Sequence, residues 1–376
     1  QGETLHVCQH LFGGEAKEEG AYAIVGETFV FAPDKKMLQK SMAALKKGAG
    51  PTSLSASAGF KKMRARTPKS DVLVYANLAP LFEGLNKKIV AEQEENEMGI
   101  TGEGVVKALA LENLQGAYLS LNMGADADEL DLGLFVKEFR GVAKLLDSVQ
   151  GECPRPALVS AQAVQADAVK FSVPALWETV KEILLEISPQ MGMMLQMGTM
   201  QVKMQTNLDL EKDILGRLGD ELYVVKSVPP GFDAGKVSEE QMDQLLVFSV
   251  KDAQGLETAV ESLKALAGEG QEAFEKRPYM DSTLHIFKMP AAGAEAGAPE
   301  KLVSYAFKDK YLFLSIGTTS PLEAAIRGFG KPAGSIWEKS EVKAAFATLP
   351  TGASAWSCND VSAALNAAFG KMATMQ

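Results

Sequence analysis

Strands that arrive as hairpins, amphipathic helices set between groups of strands, and one block order recurring near both ends of the chain together predict an α+β fold. The expected architecture is antiparallel sheets with helices packed on one face, internally duplicated. The first recurring block is Thr4-Leu5-His6-Val7 against Thr283-Leu284-His285-Ile286. The second runs from Ala21 to Phe31 against Ser304 to Leu314; Tyr-Ala recurs, and Ile24, Phe29, Val30 and Phe31 each meet an apolar residue.

The elements follow in matching order. After the first strand comes a polar or Gly/Ala-rich loop (13–20; 291–299), then a hairpin turning at Gly26-Glu27 and at Lys308-Asp309-Lys310. A helix opens at Pro33-Asp34, carries Met37, Leu38, Met42 and Leu45, and ends at Gly48. Its counterpart opens at Ser320-Pro321-Leu322-Glu323, with the spacing of an N-cap, a first-turn proline and a capping-box glutamate. A second amphipathic stretch ends at Pro68 and at Pro350, each followed by a strand closing on Asn77 or Asn359.

The second copy has a preface of its own. Residues 156–173 read as loop and strand, and 174–187 as a helix with Leu176, Val180, Ile183, Leu184 and Ile187 on one stripe. A Met-rich helix from Pro189 to Met204 follows, then a turn at Leu218-Gly219-Asp220, strands at 221–226 and 245–250, and a helix over 256–266. Between the copies, 117–123 and 129–137 alternate apolar and polar residues and predict a hairpin. The acidic stretch 92–97 and the glycines to Gly104 read as an exposed connection. The chain thus divides into a first copy at 1–90 that lacks its opening, a connecting segment at 91–150, and a fuller second copy at 151–376. The missing opening is expected either upstream of Gln1, on the order of 80 residues, or from residues late in the chain.

Charge narrows the partners. With 48 acidic against 38 basic residues and no basic block, the chain repels phosphate, so nucleic acid is not an expected partner. No apolar run spans a membrane. Cys8, Cys153 and Cys358 lack metal-site or disulfide-framework spacing and read as buried thiols, with one disulfide as the alternative.

Several blocks carry a resemblance. They are Leu218-Gly219-Asp220-Glu221-Leu222, the apolar strand Leu245 to Asp252 ending in Lys-Asp, the Thr-Leu-His strand, the Tyr-Ala hairpin and Leu349-Pro350. With them the chain resembles a family of bacterial proteins known only as a domain of unknown function. The resemblance covers most of 155–365 and part of the first 85 residues. It implies an exported protein of the cell envelope, its signal segment removed, without an assigned activity.

Candidate sites are few. On a strand, His6, Cys8 and His10 share one face and offer three ligands for zinc or copper. Against that, the second copy keeps only His285, with Phe287 and Met289 at the other places. Met193, Met197, Met200 and Met204 fall on one side of their helix. Core packing is the plain reading of that stripe; an apolar groove for a partner or lipid, or a thioether copper site, are the functional ones. Asp126, Asp128, Glu129 and Asp131 lack the calcium-loop pattern and read as a solvated turn. No phosphate-loop, dinucleotide or nucleophile-elbow motif occurs, and no cofactor is implied. The expectation is a non-enzymatic interaction protein, a scaffold or assembly subunit with a protein partner or self-assembly. An apolar-ligand module built on the Met-rich helix, and an enzyme with a dispersed site, are the alternatives.

Overall fold

The computed structural model describes residues 5–9, 19–48, 50, 53–93, 96–124, 128–232, 242–264, 274–288, 302–331, 334–349 and 351–359. Two compact units emerge: residues 1–83 with 114–137, and residues 84–113 with 138–376. The fold is α+β with antiparallel sheets.

The first unit opens with β1 (Leu5–Gln9), β2 (Glu19–Val25) and β3 (Thr28–Ala32), paired in the order β1-β2-β3. α1 (Lys35–Lys47) starts as its sequence predicts: Asp34 accepts from the Met37 amide at 2.8 Å, and Gly48 ends the helix. Leu38 of α1 packs on Ala21, Ala23 and Ala32, with Leu5, Val30 and Met42 around them. A 3₁₀ turn (Leu54–Ala56) leads into α2 (Ala58–Arg66) and then β4 (Val72–Asn77). α3 (Ala79–Glu92) leaves this unit, and α4 (Gly102–Leu109) belongs to the second. The chain returns as the predicted hairpin, β5 (Leu114–Asn122) and β6 (Glu129–Val136), which extends the sheet in the order β4-β5-β6.

α4 corrects the reading of its stretch as an exposed connection. Gly102 and Gly104 weaken helix propensity, which hid it. They are there for close packing: a Cβ on Gly104 would stand 2.5 Å from the Ile187 carbonyl oxygen. Thr101 caps the helix, accepting from the Gly104 amide at 3.0 Å.

The second unit contains α5 (Lys144–Asp147), β7 (Gln165–Lys170), α6 (Val173–Ile187), α7 (Pro189–Thr206), β8 (Leu218–Ser227) and β9 (Asp243–Val250). Next come α8 (Ala253–Lys264), β10 (Phe274–Tyr279), β11 (Ser282–Lys288), β12 (Leu302–Lys308) and β13 (Tyr311–Gly317). α9 (Ser320–Gly328), a 3₁₀ turn (Ile336–Glu338), α10 (Ser340–Thr348) and β14 (Ala355–Asn359) complete it. Eight antiparallel strands form one sheet, β10-β11-β12-β13-β9-β8-β7-β14. Tyr223, Val247 and Phe313, all fully buried, meet Leu322, Ala325 and Ile326 of α9 and the aromatic ring of Trp356 in the main core. α8 lies on the opposite face, burying Leu256 and Ala259 and bringing Glu261 to His285 and Tyr305.

Two local readings change, and one strand is added that the sequence did not announce. Leu218-Gly219-Asp220 is not a turn but the start of β8, with a break in pairing register between Leu218 and Leu222. The cap of α9 is Thr319 rather than Ser320, and its hydroxyl donates to Glu323 at 2.9 Å. β10, Phe-Glu-Lys-Arg-Pro-Tyr, is charged and holds a proline, features of an edge strand that mask strand propensity.

Candidate interaction surface

Successive residues of a strand point to opposite faces. On β4, β5 and β6 the register aligns three rows: Val72–Leu121–Leu130, Val74–Leu119–Leu132 and Ala76–Ala117–Leu134. Every position in these rows is aliphatic. Leu132 is 67% exposed and Val74 55%, and Val72, Leu130 and Leu134 are exposed with them. The reverse face is tighter and partly polar: Tyr118 is buried, its hydroxyl donates to Asp131 at 2.9 Å, and its ring lies against Gly133.

The rows of β14, β7 and β8 that face away from the main core make a contrast. They read Ala355–Val169–Leu222, Ser357–Asp167–Val224 and Asn359–Gln165–Lys226, mostly polar toward β14. An outward sheet face normally looks like that. The β4–β6 sheet therefore exposes aliphatic side chains, whereas the exposed residues of β14 in those rows are Ala355, Ser357 and Asn359.

α7 adds a second apolar stripe. Met193, Met197, Met200 and Met204 are 55%, 63%, 59% and 74% exposed, so the core-packing reading is corrected. The helix turns Leu195, Thr199, Val202 and Thr206 inward instead, and none of its residues is fully buried. Ser188 caps it, accepting from the Gln190 amide at 3.1 Å, and donates to the Met98 carbonyl at 2.6 Å.

His6 stands outward on β1, stacked on Tyr22 at 4.7 Å between ring centroids. Cys8 pairs in register with Gly20, though its side chain is outside the described residues, as is His10 altogether. Among the described residues no group of three metal-ligating side chains converges. Asp126 is also outside them; Asp128 accepts from the Gly124 amide at 3.3 Å and Glu129 from Asn122 at 3.4 Å, as in a solvated hairpin turn.

Residues 9–356 match a family described as protein of unknown function (DUF3352). The chain belongs to that family. No curated protein and no solved structure matches it.

Two polar clusters of this DUF3352 chain were not legible in its sequence. Glu221 accepts from the Tyr223 hydroxyl at 2.8 Å and from Tyr311 at 3.2 Å. Burial, with Glu221 beside them, raises both phenols well above their ordinary value. Burial likewise pushes the nearby Cys153 thiol up to about 11, so it stays protonated and inert at neutral pH. The other cluster is Glu186, which accepts from Arg140 at 3.0 Å and lies 3.1 Å from Lys107. Desolvation pushes its carboxyl upward, but hydrogen bonds from Lys107 and Arg140 win and hold it below the usual range. Both clusters join elements far apart in sequence, which no local motif records.

Proposed function

We propose that this protein acts by non-enzymatic association, as an assembly or scaffold subunit that binds protein through the aliphatic face of β4–β6. The supporting observation is that face itself: three aligned aliphatic rows left in water. Burying each large side chain would contribute roughly 1.5–3 kcal/mol. A protein partner fits better than a membrane, because the rows themselves hold no basic residue and the chain carries a net charge of −10. Placement outside the cytoplasm, in the cell envelope, belongs to the same proposal and rests on the resemblance given above. No helix among the described residues is long and apolar enough to cross a membrane.

The test is native mass spectrometry of the protein from its natural source, beside Val74→Lys. A defined complex or oligomer that the variant loses, with unchanged thermal stability, is the expected result. A bare monomer in both samples overturns the reading. A second reading, an apolar-ligand module, is favoured by the exposed methionines of α7 alone; a retained small molecule released by Met197→Glu would support it.

A further inference from the structure

Past its first residue, the outer face of α7 has one kind of apolar side chain, the thioether. Met193, Met194, Met197, Met200 and Met204 are exposed there, and between them stand Gln196, Gly198, Gln201 and Lys203. Leu195 and Val202 are on the inner side. A solvated face ordinarily carries polar side chains, and apolar contact alone is served as well by leucine or valine. What distinguishes this face is sulfur rather than hydrophobicity.

Spacing brings the sulfurs together. At about 3.6 residues per turn, positions 193, 197, 200 and 204 fall within about 60° of one another around the helix axis. Neighbours in that row are four, three and four residues apart, which sets their Cβ atoms about 5–6 Å from each other. Methionine is long, unbranched and flexible, so adjacent sulfurs can meet at one point above the helix.

The surroundings suit a soft cation. α7 contains no Asp, Glu, His or Cys, so no carboxylate, imidazole or thiol of the helix competes with the thioethers. Its single charged residue, Lys203, is paired with Asp209 at 2.9 Å. Met204 lies in the last turn, where the partial negative charge of the carbonyl end favours a cation. Thioethers prefer soft ions such as Cu(I), whereas Mg²⁺ and Ca²⁺ take oxygen ligands.

We propose that the row Met193–Met197–Met200–Met204 binds a soft monovalent cation, Cu(I) or Ag(I). Met197 and Met200 form its centre, and Met193 or Met204 supplies a third sulfur. The ion keeps its oxidation state and is held by thioethers alone. This goes beyond the association reading, which rests on β4–β6, and it differs from the apolar-ligand reading of α7 in requiring sulfur.

The experiment is NMR of the chain labelled with ¹³C-methyl methionine and titrated with silver(I) nitrate in chloride-free buffer. Met280 and Met123 are 63% and 62% exposed, as open as the row but outside it, so they report the response of a lone thioether. The methyls of the row should shift together and half-saturate at a silver concentration at least about tenfold lower than Met280 and Met123 require. Silver taken up by cysteine thiols delays all these methyls alike, because they are compared within one sample. Met197→Leu with Met200→Leu keeps size and apolarity but removes the two central sulfurs. Met193 and Met204 should then respond as weakly as Met280. Row methyls that titrate alongside Met280 and Met123 in the wild-type protein overturn the proposal, whether or not the variant folds. So does an undiminished response of Met193 and Met204 in the folded double variant. An apolar molecule held by α7 would survive the leucine substitutions, and a complex lost in Val74→Lys would leave the silver response unchanged, so each reading fails separately.

Discussion

At the scale of single residues, burial decides which groups react and which merely hold. Cys153 has a thiol pushed up to about 11 and is 3% exposed, so alkylation at pH 8 should be negligible in the native protein and rapid after denaturation. Timed labelling with iodoacetamide and peptide mapping would check it. Glu186 and Asp243 give opposite pH dependences. The Glu186 carboxyl is held low, so its contribution is present above the ordinary carboxylate value and is lost as pH falls through its folded value. Glu186→Gln should cost about 0.5–1 kcal/mol at neutral pH and nothing in acid, read from urea melts. Asp243 is 1% exposed and its carboxyl is raised by burial, even though Thr318 donates to it from both its amide and its hydroxyl. A raised carboxyl weakens the fold as pH climbs past the ordinary value. Asp243→Asn should therefore melt higher relative to wild type at pH 7 than at pH 4.

At the scale of elements, β5 and β6 explain both what the sequence disclosed and what it kept back. Alternation identified the hairpin and its approximate limits. It did not say which phase points inward, since period two is the same from either side. Leucines usually mark the inner face, but here Tyr118, Ser120 and Gly133 are turned inward and the leucines outward. Gly133 is the hinge of that arrangement: a Cβ there would stand 1.9 Å from the Tyr118 ring. Gly133→Val should destabilise the chain by about 1–3 kcal/mol in thermal or denaturant unfolding, whereas Leu132→Ser on the other face should move it by less than about 0.5 kcal/mol. The same limit applies to α7. Methionines at helical spacing defined a stripe, and only tertiary contacts could say that Leu195 and Val202, not the stripe, face the protein.

At the scale of the whole molecule, local punctuation was the most readable feature. Asp34 and Gly48 around α1, the hairpin turns, and the prolines after α2 and α10 all mark element ends by chemistry that acts within a few residues. The order of the sheets was not readable, because β14 joins β7 across nearly the whole second half of the chain. Nor were the Glu221 and Glu186 clusters, whose members meet only in space. Location is also a whole-molecule property. Cell fractionation of the natural host should recover the protein in the envelope or periplasmic fraction, and recovery with cytoplasmic markers would count against that part of the proposal.

The charged, proline-bearing β10 has a consequence for handling the protein. Pro278 contributes no amide donor to that border, and Glu275, Lys276 and Arg277 keep neighbouring chains apart. Aggregation during expression or storage should therefore start at the uncharged β3 border of the other unit, where Phe29 and Phe31 are exposed, and one charged substitution there, such as Thr28→Lys, is the first remedy to try.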